Sequence, residues 1–484
     1  MNSYSEDKSR FASKEISPVN LVEDIYEQIK KRPNLNAFIT LCTNSALESA
    51  KESEKRFAEN NPRKLEGMII AVKDNISTKD IRTTCGSKIL ENFTPIYDAT
   101  AVSRLKGAGA IIIGKTNMDE FAMGSSNENS YFGNVLNPVD EKLVPGGSSG
   151  GSAVALVAGF CHASLGSETG GSVRQPASFV GSFGYKPSYG TISRYGLVAY
   201  GSSFDQIGIF SNNSYDMALV LDCISGRDEN DSTSVSHKSL QSHSKLSSNL
   251  DNIKENEITI GVAPESVLKH SDFEIIEKYQ DSIKKLEDAG YKIKQIEFPL
   301  SHVWIAVYYI ISTAEASSNL SRFDGIRYGF RAEFDENEEN EGNISDIDLI
   351  KASRSQGFGE EVKRRILLGT YVLSAGHQDK FYTQALKARR LIFNNYKKIF
   401  SEVDYIFLPT TPTPAFKFKE KENPVAMYMS DFYTASANLA GIPAINIPTH
   451  TNRNGLPIGM QLQADNFQDE ELVLISEKIF QLLK

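Results

Sequence analysis

MIIAVKDN (Met68–Asn75) and, after a polar interval, AVSRLKGAGAIII (Ala101–Ile113) set the fold class. Met68 to Val72 is apolar without alternation, so neither side of that strand is meant for water. Ala101 to Lys106 has apolar residues at helical spacing, GAGA makes a turn, and Ile111 to Ile113 forms a second unalternating strand. The same order recurs at Ile258–Val262, the helix Phe273–Ala289 and Tyr291–Phe298. Tyr405–Leu408 reads as another such strand, and Asp469–Leu483 as a closing helix. Near the start, Pro18–Arg32 is an amphipathic helix capped by Ser17. Buried strands interleaved with helices mean an α/β protein whose sheet is covered on both faces.

Composition narrows the function. The 484 residues carry 52 Lys plus Arg against 61 Asp plus Glu, a net charge of −9. That balance argues against a chain that grips nucleic acid by its own charge, since phosphate binding needs clustered cations. Cys42, Cys85, Cys161 and Cys223 lack CxxC spacing and paired histidines, which excludes a disulfide scaffold or zinc module and suits a reducing compartment. MNSYSEDKSRFASKE reads as neither signal nor transit peptide, and the longest apolar run, around Ile305–Ile311, is too short to span a membrane. These features predict a cytoplasmic protein. Asp228–Glu257, with eight Ser between Ser232 and Ser248, reads as a mobile surface loop. Glu333–Glu341 holds six acids in nine residues and reads as a solvated face.

The chemistry lies between Lys73 and Ser172. VPGGSSGGSAVALVAGFCHASLGSETGGSVRQP (Val144–Pro176) is not a flexible linker, because AVALVAGF opens a core helix directly after the glycines. A phosphate loop would need a Lys after them, and none is there. GGSSG matches a nucleophile elbow, but NPVDEKLVP is a poor strand to feed one, and no histidine stands in a suitable context. A serine catalyst without histidine remains. Ser172 follows Thr169-Gly170-Gly171, where bare backbone amides can approach a substrate oxygen. Its hydroxyl needs a base, and a lysine can serve if burial lowers its pKa. Lys73, at the end of an apolar strand, is the candidate.

Lys73-Asp74-Asn75, GGSSGGS (Gly146–Ser152) and GSETGGSVRQP (Gly166–Pro176) resemble the amidase signature family. TNMDEFAMGSS (Thr116–Ser126), SSNLSRFDGIRYG (Ser317–Gly329), GFGEEVKRRILLGTYVLS (Gly357–Ser374) and NLAGIPAINIP (Asn438–Pro448) are similar to one branch. That branch comprises the glutamine-hydrolysing subunits of tRNA-dependent amidotransferases. The resemblance implies a large mixed sheet covered by helices in one domain over residues 1–484. Residues 228–257 and 333–341 would then be surface loops.

The resemblance also implies a Ser–cis-Ser–Lys triad, with Ser172 as nucleophile, Ser148 as bridge after a cis Gly147–Ser148 bond, and Lys73 as base. Thr169, Gly170, Gly171 and Ser172 would form the oxyanion hole. Arg365 would hold the carboxylate of glutamine and Asp431 its ammonium, with Tyr308 as a further contact; a guanidinium fork suits a carboxylate. Arg364 and Tyr309 stand next to two of these, and the sequence leaves open which of each pair faces inward. Two departures from the family pattern are His377-Gln378, where aromatic residues are expected, and Glu168, where Asp is expected.

The implied function is ammonia supply for converting Glu-tRNA(Gln), and Asp-tRNA(Asn) where the partner accepts it, to the amidated forms. The chain itself would need no cofactor and no metal; ATP and Mg would be used by a B subunit that also binds the tRNA, and a C subunit would complete a heterotrimer. The alternatives are a free-standing amidase acting on small amides and a non-catalytic scaffold, the latter disfavoured by retention of Lys73, Ser148 and Ser172.

Overall fold

Alternate residues of the two unalternating strands enter different cores. Ile70 and Val72 join a large cluster with Ile112 and Leu165, while Ile69, Ala71, Ile111 and Ile113 join another with Val154, Leu156 and Phe210. Successive side chains of a strand point to opposite faces, so both faces of this sheet are covered. The structure is a computed structural model and describes residues 1–236, 240–334 and 345–484.

Among the described residues one eleven-stranded sheet runs through the chain. Its strands are β1 Phe38–Leu41, β2 Ile69–Lys73, β3 Ile111–Thr116, β4 Ala163–Glu168, β5 Phe183–Lys186, β6 Gln206–Ser211, β7 Thr259–Val262, β8 Lys292–Gln295, β9 Tyr405–Pro409, β10 Ala444–Thr451 and β11 Pro457–Ala464. Their order is β1-β3-β2-β4-β6-β5-β10-β11-β9-β7-β8. The sheet is mixed: β3, β2 and β4 run parallel, as do β9, β7 and β8, and the strands between them are antiparallel. The expected α/β class therefore holds, and the strands on either side of the Ser-rich segment share one sheet.

Two expectations need comment. The segment read as a mobile loop contains a helix, Ser242–Asn249, whose Leu246 is buried against the helices Ser214–Ile224 and Asp469–Leu483. Asp222 accepts from the amides of Ser242 and His243, and so caps this helix from outside it. Ser247 and Ser248 return their hydroxyls to carbonyls one turn back. A polar composition thus conceals a docked helix. The acidic stretch Glu333–Glu341 lies outside the described residues from position 335 onward. The apolar run near Ile305 is part of the buried helix Trp304–Asn319, and among the described residues no helix is long and apolar enough to cross a membrane.

Candidate active site

β2 ends at Lys73 and its parallel neighbour β4 at Glu168, so both strands deliver their following residues to the same end of the sheet. Parallel sheets place ligand sites at their carboxyl ends. Lys73 is fully buried and donates to Ser148 Oγ at 2.7 Å, Ser149 Oγ at 2.8 Å and the Ser167 carbonyl at 3.1 Å. Burial pushes its ammonium down to about 7, although the carboxylates of Asp119, Asp205 and Glu168 act in the opposite sense. A neutral amine is therefore accessible at physiological pH.

Ser148 follows the cis Gly147–Ser148 peptide bond. Gly146 has φ +83°, and a Cβ there would meet Pro176 Cα at 2.7 Å, so only glycine fits this turn. Gln175 accepts from the Gly147 amide at 3.0 Å. The Ser149 amide donates to the Ser172 carbonyl at 3.2 Å and joins the two serine loops. Ser172 is slightly exposed, and its Oγ has no hydrogen-bond partner among the described residues. The structure thus closes the Lys73–Ser148 link but forms no hydrogen bond between the Ser148 and Ser172 side chains.

The loop before Ser172 is fixed on both sides. Glu168 pairs with the buried Arg174 and accepts from the amides of Val173 and Arg174 at 3.1 and 3.0 Å, which start the helix Arg174–Val180. Glu in place of Asp therefore still serves as an anchor beside the triad. Thr169 donates its hydroxyl to Asp205 at 2.7 Å, and Asp205 also accepts from the Tyr200 and Gly201 amides. The amides of Gly170, Gly171 and Ser172 make no hydrogen bond to described residues. An oxyanion needs free backbone donors of this kind.

The expected recognition residues converge on this loop. A side chain at Gly170 would strike the Tyr308 ring, and one at Gly171 would meet Asp431 Oδ1 at 2.8 Å. Asp431 Oδ2 accepts from Ser125 at 2.7 Å, whereas Oδ1 is buried without a partner. Burial pushes this carboxyl up to about 7. A buried, half-satisfied carboxyl calls for a cationic donor.

Arg365 settles the first ambiguity. Its side chain is 3% exposed, whereas that of Arg364 is 47% exposed and pairs with Glu361 at the surface. Arg365 donates to Glu361 at 2.8 Å and to the Tyr200 hydroxyl at 2.8 Å, which leaves Nη2 without a hydrogen bond to described residues. Its guanidinium lies 5.2 to 5.6 Å from the rings of Tyr200, Tyr309 and Tyr428. Both tyrosines of the second pair face the site. Tyr308 lies against Gly170, and Tyr309 stacks on Tyr428 at 3.8 Å beneath Arg365. His377 instead packs on Tyr371 and Phe381, away from these groups.

Sequence reading missed Ser149, Ser125, Tyr200, Asp205, Glu361 and Tyr428. Each acts by holding another group, so its residue type alone announces no chemistry; Ser149 in GGSSGGS, Ser125 in TNMDEFAMGSS and Glu361 in GFGEEVKRRILLGTYVLS nevertheless stand within segments that carry the resemblance.

Comparison with known proteins agrees with this geometry. The amidase family profile matches residues 20–473. The A subunit of glutamyl-tRNA(Gln) amidotransferase from Chlorobium phaeobacteroides is 48% identical over 482 residues, which cover 99% of this chain and 98% of the relative. The corresponding protein of a Sulfurihydrogenibium species is 47% identical, covering 96% and 94%. Among solved structures, the A subunit of the Thermotoga maritima glutamyl-tRNA(Gln) amidotransferase superposes with a TM-score of 0.77 at 39% identity, covering 96% of this chain and 91% of that one. The peptide amidase of Stenotrophomonas maltophilia superposes at 0.81 with 26% identity, covering 100% and 97%. A buried lysine touching a serine after a cis bond, in a chain matched almost end to end, makes this protein a member of the amidase family.

Proposed function

We propose that this chain hydrolyses glutamine and supplies the ammonia to a tRNA-dependent amidotransferase. The observation that carries the reading is the pair of opposite charges beside the Thr169–Ser172 loop. The orphaned Asp431 Oδ1 can take an ammonium, and the unpaired Nη2 of Arg365 can take a carboxylate. An amide substrate bearing both groups satisfies both at once.

In the proposed reaction neutral Lys73 takes the proton of Ser148, and Ser148 takes that of Ser172. Ser172 Oγ attacks the side-chain carboxamide carbon, and the oxygen that becomes negative receives the amides of Thr169, Gly170, Gly171 and Ser172. The relay returns its proton to the leaving nitrogen, which departs as ammonia. Water then attacks the glutamyl ester, releasing glutamate and restoring Ser172.

Near-full-length identity of 48% to the A subunit of a glutamyl-tRNA(Gln) amidotransferase supports the wider assignment. On this reading the chain works in the cytoplasm in a heterotrimer with B and C subunits, and tRNA, ATP and Mg are handled by the B subunit. A free-standing amidase is the second reading, favoured by the overlay on a peptide amidase. The test is isolation of the native complex followed by assay of ammonia transfer from glutamine to Glu-tRNA. Transfer that needs the partners supports the amidotransferase reading; a lone chain preferring neutral amides supports the free-standing enzyme.

A further inference from the structure

Asp119 and Glu120 are adjacent buried carboxylates that the chemistry above does not use. They point to different halves of the site. The Asp119 amide donates to the Ser148 carbonyl at 3.2 Å, and a Cβ on Gly147 would run into its carboxylate. That carboxylate accepts from the Asn127 amide at 2.9 Å and the Asn129 amide at 3.1 Å, fixing the loop whose Ser125 holds Asp431. Glu120 reaches the other way. Its Oε2 accepts from the Gly359 amide at 2.8 Å, and its Oε1 accepts from the Ser87 hydroxyl. Gly359 is the N-cap of the helix Glu360–Leu373, which carries Arg365 and has no side-chain cap of its own. Glu120 accepts the amide of the N-cap residue from a distant segment, as the acid of a capping box does from within its own helix. Phe121 and Ala122, with φ of 49° and 61°, hold the left-handed region that side chains resist. Phe121 packs on Phe358, next to Gly359, and on Phe323.

We propose that Asp119 and Glu120 act as one positioning brace, Asp119 setting the Ser148 turn against Lys73 and Glu120 setting the register of Arg365 for the substrate carboxylate. The kinetic part of this proposal rests on the glutaminase reading. The brace predicts a division of effects that loss of general stability would not give.

The experiment measures kcat and KM for glutamine and for a neutral aliphatic amide on the full chain. Glu120→Ala should raise the glutamine KM about tenfold and change the neutral amide by less than about threefold. Asp119→Asn should lower kcat about tenfold on both amides. Glu120→Gln should rescue, because its amide oxygen can still accept from Gly359 while its NH2 meets Ser87. Gly359→Ala, which drives a methyl into the Glu120 carboxylate, should reproduce the KM effect even if Glu120→Ala folds poorly. Equal losses on both amides from Glu120→Ala, or a Glu120→Gln variant as impaired as Glu120→Ala, would overturn the brace. A wild type inert on glutamine would refute the glutaminase reading instead. The brace is then judged by amide exchange at Gly359, which donates to Glu120, and at Lys363, which donates to the Gly359 carbonyl; Glu120→Ala must speed both about tenfold, and unchanged exchange there overturns it.

Discussion

The amide-cleaving centre and the amino-acid clamp are built on opposite plans. Lys73, Ser148 and Ser172 stand at the ends or exits of neighbouring central elements; hydrogen bonds of 2.7 to 3.2 Å join Lys73 to Ser148 and Ser149, and the Ser149 amide to the Ser172 carbonyl. The proposed clamp is gathered from Tyr200, Tyr308, Tyr309, Arg365, Tyr428 and Asp431, on several separate segments, and it is held by aromatic rings around Arg365 together with hydrogen bonds from Ser125 to Asp431 and from Arg365 to Tyr200 and Glu361. On the proposed reading the first region opens amides in general and the second selects what is opened. Damage to the first should therefore affect every amide, and damage to the second only amides with a charged backbone.

The largest effect belongs to the nucleophile. Ser172→Ala should lower turnover of glutamine and of a neutral amide alike by at least about four orders of magnitude, with an unchanged melting temperature. Ser148→Ala should be nearly as severe, since it cuts the relay. Lys73→Arg comes next: it keeps the charge but loses the base, and a general base contributes about 10²- to 10⁴-fold. Turnover on both amides should fall by that amount in steady-state assays. Near-normal turnover would make Lys73 an electrostatic support only.

The clamp gives smaller and selective losses. A hydrogen bond to a charged group contributes about 1.5–3 kcal/mol, and a loss of about 2.8 kcal/mol is a hundredfold in rate. Arg365→Ala should lower kcat/KM for glutamine about a hundredfold and barely change the neutral amide, with Arg364→Ala nearly silent on both. Equal losses on the two substrates would assign Arg365 to the fold.

The two regions also predict different pH slopes. Lys73, pushed down to about 7, must lose its proton to act as base, so kcat/KM for a neutral amide should fall about tenfold per pH unit below that point. Asp431, pushed up to about 7, must also be ionised to take the ammonium. With glutamine two protons oppose the reaction, and the fall should steepen toward about a hundredfold per unit. Parallel pH profiles on the two substrates check this, and identical slopes would detach Asp431 from substrate binding.

The same contrast explains what could be read from sequence. β2 and β3 were legible because both faces of each are apolar, and the helices Pro18–Lys31 and Phe273–Asp288 because their apolar residues keep helical spacing. β4, which delivers Thr169 to Ser172, was not legible. Its sequence ASLGSE looks like a turn, yet Ser164 donates to the Ser152 carbonyl and Ser167 accepts from Asn75, so its polar groups are satisfied inside the core. The proposed triad could be placed by motif because Ser148 and Ser172 lie in dense Gly–Ser signatures and Lys73 in the Lys-Asp-Asn that closes an apolar strand. The clamp could be placed only through resemblance, and only the packing separates Arg365 from Arg364 or gives Tyr309 a role beside Tyr308.

Trapping the acyl-enzyme tests the central claim most directly. The full chain, mixed with glutamine and quenched in acid within one turnover, should gain the mass of one glutamyl group, and peptide mapping should place it on Ser172. Ser172→Ala should show no adduct and no ammonia release. An adduct on Ser148, or glutamine turnover that persists in Ser172→Ala, would contradict the account.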